Sequence, residues 1–302
     1  MAKSAAKFML IVAAILGTSV ALAAQRSFDQ RLNAPAGGRL TFDADVGSVA
    51  VTGGDVSQVV VHADLEGSES FLNRIHISAE QTSSGVTILV HMDHDSWLDL
   101  LVMGSNRVQF TVEVPRTYPV DLRTSGGGLD VRNLHAWVRG KTSGGGIHVQ
   151  DVVGTVNMHT SGGGVSAERL NGAASLSSSG GSIDASDSTG DLDLNTSGGG
   201  ISIRSDDGKI NAHTSGGSIQ AQLRTNDGIT LDTSGGSITL MLPQTTQASI
   251  DAETSGGDVT SHLPVTTSGT VSGSHLQGTI GSGGPLIFLH TSGGSIHIEP
   301  ES

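Results

Sequence analysis

Thr124-Ser125-Gly126-Gly127-Gly128-Leu129-Asp130-Val131 returns eighteen residues later as Thr142-Ser143-Gly144-Gly145-Gly146-Ile147-His148-Val149. The tetrad T-S-G-G starts again at Thr160, Thr196, Thr214, Thr233, Thr254 and Thr291, with an S-S-G-G variant at Ser178. Its first five intervals are 18 residues each. The later ones are 19, 21 and 37, and the last contains a degenerate copy, Gly281-Ser282-Gly283-Gly284. A fixed period of this length marks a stack of similar supersecondary units.

The positions around each tetrad give the unit its shape. Five residues after the start come Leu129, Ile147, Val165, Ile183, Ile201, Ile219, Ile238, Val259 and Ile296. Four before it come Val120, Val138, Val156, Ala174, Leu192, Ile210, Ile229, Ile250 and Ile287. Polar residues such as His148, Ser166, Asp184, Arg139 and Asn157 alternate with them. Alternation with period two is the signature of strands buried on one face. Each unit therefore reads as two short strands joined by a T-S-G-G corner and a looser turn such as Asp206-Asp207-Gly208. One unit cannot bury its own apolar face, but stacking at roughly 4.8 Å makes a continuous column. The predicted fold is all-β: a single-stranded β-helix, or β-solenoid, of about 18 residues per coil. About nine coils give a rod of roughly 45 Å, with apolar ladders inside and a threonine ladder at the corner.

Outside the repeats, Leu40, Phe42 and Ala44 alternate, as do Val49 and Val51, and Val59 and Val61. Ile75–Ala79 and Val86–His91 read as a hairpin turning at Ser83-Ser84-Gly85. Val108, Phe110, Val112 and Val114 read as a strand ended by Pro115. The predicted division is a signal peptide over 1–23, capping coils and a hairpin over 24–119, and the repeat solenoid over 120–302. The leader reading rests on Lys3 and Lys7, the apolar run Phe8–Leu16, and the small-x-small site Ala21-Leu22-Ala23. It places the product outside the cytoplasm, in the periplasm or released to the cell surface or medium, with no membrane span in the mature chain.

The chain has 302 residues, no cysteine, 43 glycines and 3% aromatics. The absence of cysteine excludes disulfides, thiolate metal sites and cysteine nucleophiles. The formal charge of −13 disfavours nucleic acid as a partner, because phosphate binding needs clustered Lys and Arg.

Gly38-Arg39-Leu40, Asp45-Val46-Gly47-Ser48-Val49 and Val114-Pro115-Arg116, with Val120-Asp121-Leu122-Arg123 leading into the first tetrad, together resemble a bacterial family of exported domains of unknown function labelled "putative adhesins". The resemblance covers roughly residues 28–300. It implies a single-stranded β-helix in an envelope or extracellular setting, and brings no catalytic residues with it.

The sharpest cluster of candidate ligands is His91-Met92-Asp93-His94-Asp95, with Asp99 nearby. Imidazoles and carboxylates so close are metal-ligand types, but the spacing matches no motif, and a polar loop is the plainer reading. Asp206, Asp207 and Asp227 are calcium candidates that do not recur in register. Asp130, Asp184 and Asp193 are the carboxylates a glycan-cleaving β-helix would need, and Trp137 is the one exposed-type aromatic of the repeats. An ice-binding threonine array is a fourth possibility. The residue before each tetrad runs Arg123, Lys141, His159, Ser177, Asn195, His213, Asp232, Glu253, His290, a column expected to pass from basic to acidic along the rod. No catalytic, cofactor or metal residue is assigned and no cofactor is expected. The expectation is a non-enzymatic binding or scaffold protein for a surface, a polysaccharide or an envelope protein. The alternatives are a periplasmic structural or signalling partner and a glycan-active β-helix enzyme. The oligomeric state stays open.

Overall fold

The computed structural model describes residues 24–93, 106–267 and 272–301. The expected leader, His94, Asp95, Trp97 and Asp99 lie outside them. The described residues form two long sheets, of 13 and 14 strands, and one short helix, Glu69–Asn73. From Arg107–Pro115 to Val265–Thr267 successive strands alternate between the sheets. In the repeats each strand pairs in parallel with its equivalent one coil away, as Val138–Thr142 does with Val120–Thr124 and Val156–Thr160. This is the expected β-solenoid. The apolar ladders face each other across one continuous core.

The corner threonines point inward, where they are buried. Thr142 Oγ1 donates to the Gly127 carbonyl of the preceding coil at 2.7 Å and accepts from the Gly145 amide of its own corner at 3.3 Å. Thr160 repeats this with Gly145 and Gly163, and Ser178 with Gly163 and Gly181. A hydroxyl is both donor and acceptor, so one side chain satisfies two backbone groups. The fourth tetrad position is glycine because coils touch there: a Cβ on Gly145 would overlap the carbonyl of Gly127. The next position is Gly146 or Gly164 in some coils and Ser182 or Ser218 in others. A Cβ at Gly146 meets only an oxygen at 3.4 Å, so a side chain fits.

Strict alternation fails at the second corner. Asn133, Asp151, Arg169 and Asp187 stack with φ between 50° and 58°. This left-handed residue acts as a bulge, turning Leu134, Val152 and Leu170 into the core against the parity of their strands. Arg169 pairs with Asp151 of the coil below at 2.6 Å and with Glu168. Inside, Gly140 stands where other coils carry Leu, Met or Ala, and the Met158 side chain of the next coil fills the gap.

The C-terminal end corrects the expected coil order. Leu286–Thr291 lies between Ile229–Thr233 and Ala248–Thr254, and Ile296–Pro300 lies between Ile238–Leu242 and Val259–Ser261. The last coil in sequence is thus inserted beneath the one before it. Gly281-Ser282-Gly283-Gly284 is not a corner of the stack. It forms the turn between His275–Ile280, which runs antiparallel to Ala248–Thr254, and the inserted strand.

At the other end Arg39–Ala44 and Ser48–Gly54 form an opening coil on the first tetrad coil. Gly85–Met92 and Arg107–Pro115 stack on it in parallel. Antiparallel strands then close the end: Ile75–Thr82, which completes the expected hairpin, on one sheet, and Gln58–Gly67 with Ala24–Asn33 on the other. Arg26 Nη2 and Gln30 Nε2 donate to the carbonyls of Ile75 and Ala79, at 2.6 and 3.0 Å. They tie together two strand edges that would otherwise invite further pairing.

Candidate functional site

With threonine and apolar side chains turned inward, the surface belongs to the intervening residues. Each outward position becomes a row along the rod, one residue per coil. On the 13-strand sheet such a row reads Ala50, Asp130, His148, Ser166, Asp184 and Ser202. Beside it the corner residues Gly128, Gly146, Gly164 and Ser182 leave a groove of about 560 Å³, walled by Asp130, His148 and Asp184. Leu129, Ile147 and Val165 also line it, and it runs across successive coils.

The sequence candidates fall into place singly. Asp130 is held by Arg132 at 2.6 Å. Asp184 lies in the same row as Asp130, three coils on, whereas Asp193 faces outward from the 14-strand sheet and accepts from Asn195 at 2.8 Å. The three carboxylates do not converge. Asp207 and Asp227 accept from the Gly190 and Gly208 amides of neighbouring coils, at 2.8 and 3.1 Å, and Arg224 pairs with Asp206 at 3.2 Å. These acids cap backbone and pair with cations where calcium ligation was a candidate. The threonine column is interior, so it offers no surface array.

His91 and Asp93 are joined by partners that the sequence reading missed. His91 Nδ1 lies 2.8 Å from Asp45 Oδ2, which also accepts the Met92 amide. Asp93 lies 3.0 Å from His76 Nε2 and 3.6 Å from His91 Nε2. Each imidazole thus has a carboxylate, and among the described residues no group of three or more His, Asp or Glu is arranged to hold a metal ion. Another missed cluster centres on His62, between Asp29 at 2.7 Å and Asp64 at 3.1 Å. The hydrogen bond it donates to Asp29 raises its pKa above the ordinary histidine value, with Asp64 adding to the effect and desolvation opposing it.

The pre-tetrad column runs from Arg123 and Lys141 towards acids, with two departures from the sequence order. Asp43 precedes Arg123, and at the far end the spatial order is Asp232, His290, Glu253. Asp232 bridges two imidazoles, His213 at 3.0 Å and His290 at 2.9 Å. The basic residues do cluster: Arg123 and Lys141 stand opposite each other on adjacent strands.

The model of a family described as Toastrack DUF4097 matches residues 38–299. The chain belongs to this family. No match was found among curated proteins. Solved structures similar to this Toastrack chain include a "putative adhesin" from Bacteroides fragilis (13% identity, TM-score 0.41, covering 91% of this chain and 97% of that one). A "putative lipid binding protein" from Parabacteroides distasonis has 9% identity and a TM-score of 0.42, covering 92% and 97%. A "putative cell adhesion protein" from Clostridium sporogenes has 13% identity and a TM-score of 0.24, covering 91% and 100%. At such scores the likeness says nothing of what this Toastrack chain binds. Among its described residues no helix is long and apolar enough to cross a membrane.

Proposed function

We propose that this chain is an exported, non-enzymatic, adhesin-like binding and scaffold module of the bacterial envelope. The observation that carries the reading is the division of labour within each coil. Thr142 and its equivalents, with the apolar ladders, fill the interior, and the polar rows between them repeat at one spacing along the outside. The grooves lie across coils and follow these rows. Such a surface suits many weak, equally spaced contacts with an extended partner, which add by effective concentration. The separation of Asp193 from Asp130 and Asp184 supports the non-enzymatic part. Export is supported by the leader-like residues 1–23.

The test is to incubate the purified mature chain with a panel of envelope and extracellular polysaccharides, scoring retention and product release together. Retention without shortening of the polymer is the expected outcome. Release of new reducing ends, at a rate proportional to added protein, would overturn the non-enzymatic reading.

A further inference from the structure

Positive charge is scarce in this chain, yet it gathers at one place on the 14-strand sheet. The strand Val138–Thr142 turns Val138, Gly140 and Thr142 inward and Arg139 and Lys141 outward. Trp137, just before it, is 38% exposed. Neither Arg139 nor Lys141 makes a side-chain hydrogen bond or ion pair among the described residues. Arg123, opposite Lys141, comes only within 3.9 Å of Asp121, the carboxylate opposite Arg139. Arg123 also stands opposite Asp43 of the neighbouring strand, so three cations face two acids, and Arg139 and Lys141 stay unpaired in a chain of formal charge −13. Outward charge left unpaired against the overall field has no structural work to do, and it complements an anion.

The surface beside the patch narrows the anion. In the coils after Trp137 a groove of about 240 Å³ is lined by Thr155, Asn157 and Ser175, and further along by Asp191, Asp193 and Lys209. The groove runs along the rod, and its outward row reads Asn157, Ser175, Asp193 and Asn211, one residue per coil.

Resting on the binding-module reading, we propose that this surface binds an anionic polysaccharide laid along the rod. Trp137 offers an indole face for the C–H face of a sugar ring. Arg139, Lys141 and Arg123 take the carboxylates through charge-assisted hydrogen bonds. Asn157, Ser175 and Asn211 take hydroxyls. An anionic bilayer fits less well. The indole is more than half buried and cannot be inserted as a wedge. A nucleic acid would bring about one charge per 1.7 Å of duplex to a protein with net negative charge, whereas a uronic acid polymer carries at most one charge per sugar.

The test uses polygalacturonate as the anionic probe, dextran as the neutral one and phosphatidylglycerol vesicles as the membrane, with binding measured by calorimetry. Trp137→Ala and the pair Arg139→Glu/Lys141→Glu are compared with the parent and with Arg204→Glu, an exposed cation of the other sheet. Melting curves confirm that all are folded. The expected result is salt-sensitive binding of polygalacturonate but not dextran, weakened about tenfold or more by the two patch variants and unchanged by Arg204→Glu. Absence of polygalacturonate binding, equal binding by the patch variants, or preference for vesicles would overturn the proposal. Retention of another polymer by parent and patch variants alike would remove this site and leave the binding-module reading standing. Cleavage of polygalacturonate would sink both.

Discussion

Thr142 Oγ1 lies 2.7 Å from the carbonyl oxygen of Gly127, one coil below, and the same bond joins Thr233 to Gly217 and Thr291 to Gly236. One hydroxyl per coil satisfies a buried carbonyl of its neighbour. Coil-to-coil cohesion at the corner is therefore polar and directional, while the ladders beside it are apolar.

Thr142→Val keeps the volume and removes the hydroxyl, leaving the Gly127 carbonyl buried without that partner. The expected loss is about 1–3 kcal/mol of stability, read from urea unfolding. Thr142→Ser should cost less, since Ser178 fills the same role in its own coil. A loss for Thr142→Ser with none for Thr142→Val would show that the methyl matters and the hydroxyl does not.

Neighbouring glycines of the corner should differ sharply. Gly145→Ala drives a Cβ into the Gly127 carbonyl and is expected to cost about 3 kcal/mol or to prevent folding, since strain against backbone cannot relax cheaply. Gly146→Ser should cost under about 1 kcal/mol, within the range of an ordinary surface change. The pair of thermal midpoints checks this ordering.

The inserted coil can be trapped chemically, because the chain has no cysteine of its own. Asp232 and His290 stand opposite each other on adjacent strands, with Glu253 one strand further. The double variant Asp232→Cys/His290→Cys should oxidise to an intrachain disulfide. Asp232→Cys/Glu253→Cys, two strands apart at roughly 9.6 Å, is beyond bridging distance. The reverse result on a non-reducing gel would restore sequential stacking.

His62 supplies a pH dependence. Its pKa is raised in the folded chain, chiefly by Asp29. Its contribution to stability is therefore fully present below the unfolded value of about 6.5 and is lost as pH rises through the folded value. Proton NMR titration of the ring should show Asp29→Asn moving the midpoint down. An unmoved midpoint would assign the shift elsewhere.

The solenoid was legible because two signals coincided, the 18-residue period and the alternation of residues such as Ile147, His148 and Val149. The inward threonine was not. A hydroxyl beside glycines reads as surface until the neighbouring coil supplies the Gly127 carbonyl. Nor was the coil order. Ile229, Ile250 and Ile287 are the same residue in the same column, so apolar pairing alone does not rank the neighbours. The left-handed turn at Asp151 and Arg169 broke the parity rule and hid Val152 and Leu170. His91 and Asp93 were visible as a cluster, but Asp45 and His76 join them only through strand pairing.

The central claim, that this rod works outside the cytoplasm as a binding module, is tested most directly by fractionating the producing cells and sequencing the N-terminus of the recovered protein. The account predicts a chain beginning near Ala24, found in the periplasm, on the surface or in the medium. A chain retained in the cytoplasm with residues 1–23 intact would contradict it.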